Sequence, residues 1–62
     1  MNTYKVLTKE PVGEHKIDAE SYKWDFVGAA QGARIMMLIF KAEALTVAEF
    51  RADNVVLVQK IA

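Results

Sequence analysis

The sequence predicts an all-β fold: a small barrel or strongly bent antiparallel sheet of five or six strands, with at most one short helix or 3₁₀ turn. Three observations predict it. Apolar and polar residues alternate with period two through Thr3–Thr8 and again from His15 to Phe26, the pattern of half-buried strands. Two short apolar runs add to it. Val55–Val58 reads as a strand. Ile35–Phe40 could be a buried strand or a piece of buried helix, and its glycine-rich entry and neighbouring strands favour strand. Pro11, Gly13, Gly28 and Gly32 fall between these segments, where turns belong. At 62 residues the chain forms one domain over its whole length.

Thr3-Tyr4-Lys5-Val6-Leu7-Thr8 puts Tyr4 and Val6 on one face and Lys5 on the other, and its β-branched and aromatic content suits a strand. Pro11 and Gly13 then supply turn chemistry. From His15 the apolar set is His15, Ile17 and Ala19. After Glu20-Ser21 it moves to Tyr22, Trp24 and Phe26. A one-residue change of phase sends side chains to the opposite face, so a bulge or bend at Glu20-Ser21 joins two halves of one curved strand. A turn between two short strands is the alternative. Gly28-Ala29-Ala30-Gln31-Gly32 forms the next break, and Arg34–Lys41 reads as a central strand. In Glu43–Ala52 the local rules disagree. Thr46-Val47-Ala48-Glu49 matches a capping box, whereas Thr46, Val47 and Phe50 favour extended structure. Strand, short turn and strand is the preferred reading, with Asp53-Asn54 turning the chain into Val55–Ile61. Leu38, Phe40, Val56 and Val58 are the expected core positions.

Eight Lys/Arg balance eight Asp/Glu, which argues against a protein that works by coating phosphate. The apolar fraction of 53% lies above the ~45–50% usual for globular chains, so part of it reaches the surface of so small a domain, where apolar area marks interaction sites. Cysteine is absent, leaving neither a disulfide framework nor a thiolate zinc site. The longest apolar run is far below the ~20 residues of a membrane span, and the first residues lack the apolar core of a secretory signal. A cytoplasmic protein without membrane contact is the expectation, in the host cytoplasm or the virion if a phage encodes it.

No catalytic, cofactor or metal site emerges. His15 is the one histidine, and Glu14 beside it points to the opposite strand face. Asp18 and Glu20 share a face but are too few for a calcium site. The glycines at 28 and 32 are not followed by the lysine and serine of a phosphate loop. Lys16 and Lys23 flank Tyr22, yet Asp18, Glu20 and Asp25 surround them, so nucleic acid is a disfavoured partner. The richest feature is the row Tyr22, Trp24 and Phe26, rings ~6–7 Å apart on one strand face at a rise of ~3.3 Å per residue. Either they form the core, or Tyr22 or Trp24 stays at the rim to anchor a partner. Met37, Ile39, Val55 and Leu57 lie on the second faces of apolar strands and need their own cover.

Phe50-Arg51-Ala52-Asp53-Asn54-Val55-Val56-Leu57-Val58 resembles the closing segment of SH3-like small barrels, in which a 3₁₀ turn carrying Asn precedes a Val-rich last strand. The meander order with a long curved second strand is similar too. The aromatics that grip proline-rich ligands in signalling SH3 domains are not matched, so that activity is not implied. In size and pattern the chain is also similar to short all-β proteins encoded by bacteria and their phages. Together these readings lead to the expectation of a non-enzymatic interaction module. It would bind itself, as a homodimer, or a host protein, through an apolar strand face or a free sheet edge. A small nucleic-acid-binding barrel is the alternative. The candidate interface is Tyr22, Trp24, Met37, Ile39, Val55 and Leu57, with no cofactor.

Overall fold

The computed structural model describes residues 1–28 and 32–62. Six strands follow one another: β1 (Asn2–Lys9), β2 (Val12–Ala19), β3 (Ser21–Gly28), β4 (Arg34–Ala42), β5 (Leu45–Arg51) and β6 (Val55–Lys60), with a 3₁₀ turn at Ala52–Asn54. They form two antiparallel three-stranded sheets, ordered β2-β1-β6 and β3-β4-β5. Among the described residues these sheets do not join into one closed barrel. The middle of the expected glycine-bounded break, residues 29–31, lies outside the described residues.

The change of phase at residue 20 is the main architectural event. β2 and β3 are separated only by a bend at Glu20, and each half belongs to a different sheet. His15, Ile17 and Ala19 pair across β1 with Val6, Tyr4 and Asn2. Tyr22, Trp24 and Phe26 pair with Phe40, Leu38 and Met36. Three bonds hold the bend. The Asn2 side chain donates to the Glu20 carbonyl (3.0 Å), and the Glu20 N–H donates to the Lys41 carbonyl (2.9 Å). The Glu43 N–H donates to the Glu20 carboxylate.

Both sheets supply one core. Tyr4, Val6 and Ala19 from the first meet Leu38 and Phe40 from the second, and Ile17, Ala48, Phe50, Val55 and Val58 pack around them. Leu38 and Phe40 are thus core residues, as expected, and Val58 packs against them. Val56 is not: it is 62% exposed. The ladder between β1 and β6 runs from Leu7 opposite Leu57 directly to Thr8 opposite Val55. Val56 is the extra residue of a β-bulge, and the bulge turns Val55 inward in its place.

Within the 43–52 segment, Leu45–Arg51 is a strand rather than a helix. Its strand is committed by the β4 partner, which offers Leu38 opposite Phe50 and Phe40 opposite Ala48. A second bulge follows, since the next pair is Lys41 with Thr46 and Val47 is passed over. β4 and β5 are joined by Glu43-Ala44, and Glu43 takes a positive φ of 58°.

Candidate functional site

Two polar clusters, one buried and one at the surface, show what the fold spends on structure. Thr8 is buried, and its hydroxyl donates to the Pro11 carbonyl (2.8 Å). That uses its only proton, so in the 3.3 Å contact with His15 Nε2 the imidazole is the donor. The His15 ring lies 5.3 Å from Phe50. The histidine closes the core beneath the β1–β2 turn. Asn54 does comparable work at the other side of that turn: its carboxamide accepts from the Glu10 N–H (2.8 Å) and donates to the Glu10 carbonyl (2.9 Å). Among the described residues no group of three His, Asp or Glu side chains converges as metal ligands, and no helix is long and apolar enough to cross a membrane.

The six candidate interface residues are distributed over three surfaces. Tyr22 is held by the core: its ring meets Tyr4 edge-on at 5.3 Å and Phe40 at 5.6 Å. Trp24 follows on the same face, 46% exposed. Met37 and Ile39 point from the opposite face of β4. Ile39 is only 7% exposed because Lys23 and Glu49 flank it across the strands, and long charged side chains cover apolar neighbours with their stems. Val55 faces the core, while Leu57 is exposed on the outer face of the first sheet.

The surface that stands out contains residues the candidate set omits. Cover over the edge strand thins outward from Tyr22, itself 38% exposed, although on β4 Leu38 opposite Trp24 is still fully buried. Trp24 and Phe26 (55% exposed) are left bare, with Met36 opposite Phe26. All three project on the core-facing side of the sheet, yet no aromatic ring of the first sheet reaches Trp24 or Phe26 as Tyr4 reaches Tyr22. The row itself was visible in the sequence. What the sequence does not carry is how far the opposing sheet extends over it.

The free rim of β3 adjoins this surface. Among the described residues β3 is an edge strand, paired only with β4, in an unbroken register from Ser21 to Gly28. On its outer face Lys23 and Asp25 form an exposed ion pair (Nζ–Oδ2 3.4 Å). A scan against protein-family models finds no match for the chain, and searches of curated proteins and of solved structures find none either.

Proposed function

We propose that the chain is a non-enzymatic protein-interaction module on the plan of an SH3-like small barrel. It engages another protein molecule through the bare aromatic half of the β3–β4 ribbon. The barrel plan is supported by β1 pairing with both β2 and the last strand, by the strand bent at Glu20, and by the 3₁₀ turn at Ala52–Asn54 before β6. The observation that carries the functional reading is the exposure of Trp24 and Phe26 side by side on a face that elsewhere is core. Large aromatics are the residues whose burial contributes most to protein interfaces. Lys23, the cation nearest these rings in sequence, is already paired with Asp25, which lowers the potential the strand offers to phosphate and favours a protein partner over nucleic acid.

The test is a photo-reactive phenylalanine analogue at Phe26 in the cell that makes the protein, with the same group at Glu14 on the outer face of β2 as control. Adducts specific to position 26, with a second copy or with another protein, are the expected result. Equal yields at both positions would overturn the reading.

A further inference from the structure

Resting on that reading, the geometry points to a second copy of this chain as the occupant, docked β3 against β3 in antiparallel register with Trp24 opposite Trp24. Four strands have a free edge among the described residues: β2, β6, β3 and β5. Bulges at Val56 and Val47 interrupt β6 and β5, and bulges protect edges from pairing. The inward residues of β2 are covered, with Ala19 fully buried. β3 alone is both regular and lined with bare aromatic rings.

Its sequence then selects one register. Directly opposed residues share a face, so aromatics must oppose aromatics, and Lys23 and Asp25 must oppose residues of their own face. Placing Lys23 at the centre opposes two lysines. Placing Asp25 there opposes two aspartates. Placing Trp24 at the centre sets Lys23 against Asp25 of the second copy, twice by symmetry, and Tyr22 against Phe26. Like charges thus penalise the neighbouring registers, and unlike charges reward this one. The backbone agrees. The Phe26 N–H donates to the Asp25 carboxylate (2.9 Å), so the ladder to β4 does not use it. Alternation along an antiparallel strand then turns the amides of Tyr22, Trp24 and Phe26 to the open edge, as a pair centred on Trp24 requires. Docking exchanges the two internal Lys23–Asp25 pairs, one in each copy, for two intermolecular ones. It also lays the uncovered Phe26 end of each copy beside the Tyr22 end of the other, where Tyr4 and the first sheet begin. The contact is isologous and closed about a two-fold axis.

Charge exchange tests this. Lys23→Asp and Asp25→Lys both lie at exposed positions, and circular dichroism verifies that each variant is folded. Sedimentation equilibrium across micromolar concentrations should show a dimer for the parent. Each single variant, which turns both contacts repulsive, should dissociate about tenfold more readily or worse. Mixing the two variants should restore dimers, now mixed, and the double exchange Lys23→Asp/Asp25→Lys should restore the homodimer. A parent that is monomeric throughout overturns the inference. So does a dimer indifferent to the single exchanges, or failure of the mixture to recover. The Phe26 cross-link reads separately whether the ribbon engages any protein, so the dimer can fail while the interaction reading stands, and loss of both signals is distinguishable from loss of the dimer alone.

Discussion

A side chain that mimics backbone is the clearest case at the residue scale. Asn54 presents one acceptor and one donor to the two backbone groups of Glu10, as a paired strand residue would, and so fastens the β1–β2 turn to the 3₁₀ turn. Each bond is worth about 0.5–1.5 kcal/mol net. Asn54→Ala should therefore lower stability by about 1–2 kcal/mol, the bonds being near the surface, read as a reduced urea midpoint at unchanged slope. Asn54→Asp should fare little better, because a carboxylate accepts from the Glu10 N–H but repels its carbonyl. Glu43 offers the opposite sign. A non-glycine residue at positive φ carries a strain of roughly 1–2 kcal/mol, and glycine is free of it while giving back about half in chain entropy. Glu43→Gly should stabilise the protein slightly, since the bond to Glu20 comes from the backbone and is kept. A lower urea midpoint for that variant would show that the Glu43 side chain contributes more than its backbone costs.

Strands reveal which parts of the fold were legible. The bend at Glu20 was readable because His15–Ala19 and Tyr22–Phe26 have clear polar partners, Lys16 and Asp18, then Lys23 and Asp25, that mark each face. The strand state of Leu45–Arg51 was weaker in the sequence, since local propensity divided and only pairing with β4 decided it. In Val55-Val56-Leu57-Val58 every residue is apolar, so nothing in the pattern marks a face, and the bulge that exposes Val56 could not be foreseen. The same ambiguity hid the cover over Ile39. Two substitutions test the bulge directly. Val56→Lys should leave the thermal midpoint within a few degrees of the parent, whereas Val55→Lys places a charge against the core and should cost several kcal/mol. Equal effects would mean that β6 pairs in continuous register after all.

At the scale of the molecule, one core bridges two sheets, and that core is small. Phe40 touches Tyr4, Tyr22 and Phe50 through its ring, so its truncation should loosen both sheets together. Large-to-small changes at such positions cost about 3–5 kcal/mol, comparable to the whole stability of a domain this size. Phe40→Ala should leave little folded protein. In the parent, far-ultraviolet dichroism and the emission of Trp24, the sole tryptophan, should report one coincident unfolding transition. Two separated transitions would mean that the sheets unfold independently. The bend that feeds this shared core has a consequence in genetic terms. The two layers stay in step because one codon, that of Glu20, separates two alternating half-strands. Replacing it, as in Glu20→Ala, forfeits a single side-chain bond. Deleting it makes the alternation continuous, which keeps the row of rings on the face of Ala19 but removes the bend itself, with the three bonds through Glu20 that hold the corner between the sheets. A library of single-codon deletions should therefore lose position 20 completely, while substitutions there survive.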